Sequence, residues 1–126
     1  LKVPLISIVD DDEPNREAIE ALIRSLGYAV ATFASAEEYL QSDCLESSSC
    51  VITDLQMPGG MSGADLQERL IADGCHTPII FMTAFSEEKI RARVLGAGAS
   101  GFLCKPFSEE CLIRHLNKAL RSPGVC

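Results

Sequence analysis

Basic residues are the scarce charge in this chain: 11 Lys and Arg stand against 18 Asp and Glu, for a formal net charge of -7. Neutralising a phosphate backbone needs a basic face, so this segment is not expected to hold nucleic acid directly. Clustered acids can instead attract a cation. No apolar run approaches the roughly 20 residues needed to cross a bilayer, and no basic-then-apolar leader precedes the first strand. No membrane contact is expected. The chain opens with Leu rather than Met, as a fragment of something longer would. The six cysteines (Cys44, Cys50, Cys75, Cys104, Cys111, Cys126) form no C-x-x-C pair. Several lie in apolar stretches, where cysteine acts as a small hydrophobe, so a reducing cytoplasm with mostly buried thiols is expected. Cys111 and His115 are one helical turn apart, but two ligands without a second pair do not make a zinc site. Internal repeats, low-complexity tracts and the phosphate-loop pattern G-x-x-x-x-G-K-[ST] are also missing.

What remains is an alternation. The 126 residues, 47% apolar, can bury one core without staples, so a single domain over 1–126 with its core at about 5–121 is expected. Leu5 to Val9 reads as a buried strand. After Pro14, Ala18, Ile19, Leu22, Ile23 and Leu26 recur at helical spacing until Gly27. Ala29 to Phe33 is a second strand. Ser35 and Glu38 predict a capping box for a short helix. Cys50 to Thr53 is the third strand, and Ser62-x-x-Asp65 opens a helix running to Gly74. Pro78 to Met82 is the fourth strand, followed by a helix capped by Ser86 with Glu87 and Glu88 in its first turn. Gly101 to Cys104 is the fifth strand. Ser108 caps the last helix, with Leu112, Leu116, Ala119 and Leu120 inward.

Five strands alternating with five helices imply an α/β fold, a doubly wound parallel sheet covered on both faces. Such sheets bind ligands outside the carboxyl ends of their strands. There the chain places Asp10-Asp11-Asp12-Glu13, Asp54, Thr83 and Lys105-Pro106. Several carboxylates in one pocket repel one another unless a cation is present, and oxygen ligands suit a hard divalent ion such as Mg²⁺. A metal, a lysine, a hydroxyl and an attacking carboxylate outline a phosphoryl site, with Asp54 as nucleophile. Asp12 and Glu13 are better read as solvated loop or helix start.

The stretches IVDDDEP, VITDLQMPGGMSG, FMTA and FLCKPF together resemble the receiver domain of bacterial two-component response regulators, over about Leu5 to Leu120. The likeness is strongest to receivers that precede a LuxR-type helix-turn-helix output domain. It implies a flavodoxin-like receiver fold in which Asp54 accepts a phosphoryl group from a histidine kinase. Asp10, Asp11, Asp54 and the Gln56 carbonyl would surround Mg²⁺, with Mn²⁺ able to substitute. Lys105, before a cis Pro106, would pair with the phosphoryl oxygens. Thr83 and Phe102 would be the switch residues, and phosphorylation would drive homodimerisation through the fourth helix and fifth strand. Such a domain catalyses its own phosphoryl transfer and slow dephosphorylation and is otherwise no enzyme; control of transcription would follow through an attached or partner DNA-binding domain. Phe85 stands where a side chain could screen the phosphoryl group from water. The loop Met57-Pro58-Gly59-Gly60-Met61-Ser62-Gly63 is one residue longer than the family's usual run.

Rival readings meet specific objections. Gly96-Ala-Gly98-Ala-Ser-Gly101 spells G-x-G-x-x-G, but it closes a helix and enters a strand, the reverse of a dinucleotide fingerprint. A haloacid-dehalogenase-type hydrolase needs a second Asp two residues after the nucleophile, where this chain has Gln56. A receiver-like module that no longer takes phosphate would not need all five site residues.

Overall fold

A computed structural model describes residues 3–84 and 87–121 of the chain. Five strands, β1 (Leu5–Val9), β2 (Ala29–Phe33), β3 (Cys50–Asp54), β4 (Ile79–Thr83) and β5 (Gly101–Cys104), form one sheet in the order β2-β1-β3-β4-β5. Every neighbouring pair is parallel. The connecting helices are α1 (Glu13–Ser25), α2 (Ala36–Leu40), α3 (Gly63–Ala72), α4 (Glu88–Gly96) and α5 (Glu109–Arg121). The expected doubly wound α/β architecture is therefore present.

Period-two alternation divides each central strand between two cores. Ile6, Ile8, Cys50, Ile52, Ile80 and Met82 face one side, where Ile19 and Ile23 of α1 and Leu112, Leu116 and Ala119 of α5 cover them. Val9, Val51, Ile79 and Phe81 face the other, under Tyr39 of α2, Leu66 and Leu70 of α3 and Val94 of α4. Burial on both faces explains why these strands read as continuous apolar runs. Ser7 is the polar exception inside β1. Its hydroxyl meets Ser48 Oγ at 2.6 Å, and Ser48 in turn accepts from Tyr39 Oη at 3.2 Å, so the α2–β3 connection is pinned through buried hydroxyls.

Local signals set most boundaries. Ser62 and Asp65 form a full capping box at α3, and Ser108 Oγ accepts the Cys111 N–H at α5. At α2, Ser35 accepts from the Glu38 N–H as expected, but Glu38 does not reach back to the Ser35 N–H; its carboxylate takes the Ser35 hydroxyl at 3.4 Å instead. The strand ends shift by one residue: β3 includes Asp54, and β4 runs Ile79–Thr83. The expected Ser86 cap and Phe85 lie outside the described residues; Glu87 occupies the N-cap position of α4 without a side-chain cap bond. Leu26 falls past the end of α1 and is exposed. Cys44, Cys50, Cys104 and Cys111 are free, as expected. Of these four Cys50 alone is buried, Cys44 and Cys111 are half-buried and Cys104 is exposed, so the thiols are not mostly buried. Cys75 is disulfide-bonded and also departs from the expectation.

Candidate functional site

The chain steps from β1 out to β2 on one side and returns to β3 on the other, so the sheet order reverses between β1 and β3. Ligands of open α/β sheets sit at such a switch point. Asp10 follows the last residue of β1, and Asp54 ends β3 beside it. Carboxylate oxygens of Asp10, Asp11 and Asp54 lie within 4.8 Å of one another, the one such group of acids, cysteines or histidines found among the described residues. Asp10 and Asp54 are buried and Asp11 is exposed.

Lys105 is the counter-charge. From the end of β5 its Nζ donates to Asp54 Oδ2 at 2.9 Å and stands 3.5 Å from Asp10 Oδ2. Burial opposes its charge, but the hydrogen bond and charge of Asp54, helped by Asp10, outweigh this and hold its pKa above the ordinary lysine value. The Lys105–Pro106 peptide bond is cis, as the resemblance implied. Backbone bonds fix the neighbourhood: the Gln56 N–H donates to Asp54 Oδ1 at 3.1 Å, and the Lys105 N–H to the Thr83 carbonyl at 2.7 Å. Thr83 is buried at the end of β4, one step beyond the Asp54–Met82 register pair. Phe102 is half-buried on β5, with the Arg91 guanidinium 5.8 Å from its ring centre.

One ammonium among three carboxylates leaves the group net negative, and its donors are all hard oxygens. That donor set fits a divalent cation of the Mg²⁺ type.

The loop after Asp54 is anchored at both ends. The Leu55 N–H donates to Met82 at 2.7 Å, and the Gly63 N–H to Leu55 at 2.9 Å. A Cβ on Gly63 would lie 2.3 Å from the Asp54 carbonyl oxygen, so only glycine lets α3 start this close to the site. Between the anchors, Glu37 Oε2 accepts the Met61 N–H at 3.0 Å and ties the segment to α2.

The structure brings together the expected Asp10, Asp11, Asp54, Thr83 and Lys105 at one sheet edge. Asp12 sits at the N-cap of α1 without a side-chain cap bond, in keeping with its reading as helix start. Two neighbours were not foreseen. Asn15 Nδ2 donates to Asp10 Oδ2, and Arg16 Nη1 donates to the Asp10 carbonyl at 2.6 Å. The available signal was their place in the first turn of α1, which folds back over the end of β1.

These features define a class first: a flavodoxin-like parallel α/β domain with an acidic, lysine-bearing pocket at its switch point. Residues 6–117 match the response regulator receiver domain, and the chain belongs to that family. It is 38% identical over 109 residues to Nodulation protein W of Bradyrhizobium diazoefficiens, covering 86% of this chain and 48% of that protein. It is also 38% identical over 117 residues to the response regulator protein TmoT of Ectopseudomonas mendocina, covering 93% of this chain and 53% of that one. The solved structure of FixJ-N superposes with a TM-score of 0.85 at 29% identity, over 98% of both chains. The chain thus spans about half the length of the curated relatives it matches.

Proposed function

We propose that this chain is a phospho-accepting receiver whose modified residue is Asp54. The observation that carries the proposal is the convergence on Asp54 of the Lys105 ammonium, at 2.9 Å, with the Asp10 and Asp11 carboxylates. In the reaction an Asp54 carboxylate oxygen attacks the phosphorus of a kinase phosphohistidine. The P–N bond breaks, its electron pair leaves with the imidazole, and an acyl phosphate forms on Asp54. Lys105 neutralises the incoming phosphoryl oxygens, and the Gln56 N–H holds the other carboxylate oxygen in place. Asp10, Asp11, Asp54 and the Gln56 carbonyl would hold Mg²⁺ or Mn²⁺, which supplies further charge neutralisation at the phosphoryl group.

Acyl phosphate adds charge and acceptor oxygens beside Thr83 and Lys105. The Thr83 hydroxyl moves onto the phosphoryl group, and Phe102 turns into the space it leaves. The α4–β5 surface is then remodelled and pairs with a second copy. The domain is a two-state element biased by a local charge change rather than a turnover enzyme. The whole chain, 1–126, acts as one receiver in the cytoplasm. Its partners are a sensor histidine kinase and, given the roughly twofold longer relatives, a DNA-binding output domain of the LuxR type that controls transcription.

The test is intact mass after incubation with acetyl phosphate and Mg²⁺, for the wild type and Asp54→Asn. The expected result is a phosphoryl adduct on the wild type, lost with chelator and lost in the variant. An unmodified wild type that is folded would replace this reading with a phosphate-independent binding module.

A further inference from the structure

Asp10 is the fully buried acid of the group, and donors approach its carboxylate from three directions. The Asp12 N–H donates to Oδ1 at 2.9 Å. Asn15 Nδ2 donates to Oδ2 at 2.5 Å, and Lys105 Nζ stands 3.5 Å from that same oxygen. Two donors of different charge therefore address Oδ2. Asn15 is neutral and close; Lys105 is cationic, further off, and paired more closely with Asp54, at 2.9 Å. Which of them satisfies Asp10 decides how much negative charge the pocket can offer a metal ion. A buried carboxylate oxygen must have a donor. A neutral amide meets that need without adding positive charge, while an ammonium there would repel an incoming cation.

We infer that Asn15 is a positioning residue for divalent-cation binding: by bonding Asp10 Oδ2 it fixes the Asp10 carboxylate for the ion and keeps the Lys105 ammonium from closing on that oxygen. The inference rests on the phospho-accepting reading above and adds to it a residue outside the acid, hydroxyl and lysine set. Asn15 sits in the first turn of α1, half-buried. Neighbouring Arg16 holds the Asp10 backbone through its carbonyl and the Asp12 N–H holds Oδ1, so Asn15 is the close donor on Oδ2. Hydrogen-bond partners of ligating carboxylates commonly change metal affinity by ~10–100-fold when removed.

Mg²⁺ titration of the 126-residue chain, followed through amide resonances, tests this for the wild type, Asn15→Ala and Asn15→Leu. Alanine and leucine are better helix formers than asparagine, so both variants should fold, with the metal-free melting temperature as the check. The expected result is Mg²⁺ binding roughly tenfold weaker in both variants, with little change in metal-free melting. In the wild type, the Asn15 side-chain NH₂ resonances should shift as the ion binds. Affinity within about twofold of wild type in either folded variant would overturn the positioning role and leave the phospho-accepting reading standing. A wild type that binds no Mg²⁺ would bring down both.

Discussion

Helices α4 and α5 flank the same strand, β5, yet are held in opposite ways. Over 13 residues α5 buries Leu112, Leu116 and Ala119 in the core it shares with α1. Over nine residues α4 buries Val94, with Ile90 half-covered. Its remaining ties are polar. The buried Gln67 amide of α3 donates to the Val94 carbonyl at 3.0 Å, Arg93 pairs with Glu68, and Arg91 stands over Phe102. Apolar contacts have no substitute once broken, whereas exposed ion pairs exchange with water at little cost. An element held mainly by exchangeable contacts can shift without opening the core. The helix beside the proposed switch residues is the lightly held one, and the helix behind the lysine strand is the anchored one.

The largest effect should come from the anchored side. Leu116 is fully buried, so Leu116→Ala should lower unfolding free energy by about 2–5 kcal/mol in urea titration. A loss below ~1 kcal/mol would mean that α5 is not the anchor, and the contrast would fail. On the other side, Gln67→Ala removes one of the two donors on the Val94 carbonyl, leaving the Ala99 N–H at 3.0 Å, at a cost of about 0.5–1.5 kcal/mol. The sharper readout is hydrogen exchange: amides of α4 should exchange faster in this variant while those of α5 keep their protection. Equal acceleration in both helices would show one cooperative unit and erase the distinction.

The asymmetry also marks what could be read from the residues alone. Strands buried on both faces announce themselves as apolar runs, and Ser62 and Ser108 mark helix starts because their caps are local bonds. Parallel order then gathers Asp10, Asp54, Thr83 and Lys105 at one edge by topology, without knowledge of any side chain. Contacts that depend on how a turn folds back were not legible. Asn15 on Asp10 and Glu37 on Met61 join segments through side-chain reach, and no periodicity encodes that. Glu38 had the right spacing for a capping box, yet its carboxylate found the Ser35 hydroxyl instead. Spacing permits such a bond; competing donors decide it.

The smallest effect concerns the seam between α5 and β5. His115 packs against Gly101 so closely that a Cβ there would meet Nδ1 at 2.5 Å. Burial, and then the positive charges of Lys118 and Arg114 on the same helix, lower its pKa below the usual histidine value. The folded protein therefore favours the neutral ring, while the unfolded chain takes up a proton near pH ~6.5. With more protons bound in the unfolded state, stability must fall as pH drops through that value, and the fall ends below the folded pKa. His115→Asn removes this titration while leaving the carboxylates and His76 common to both proteins. The wild type should lose more of its urea midpoint between pH ~7.5 and pH ~5.5 than the variant does. Parallel loss in the two would place the ring in a solvated setting and show that the α5–β5 seam is looser than the rest of the anchored face.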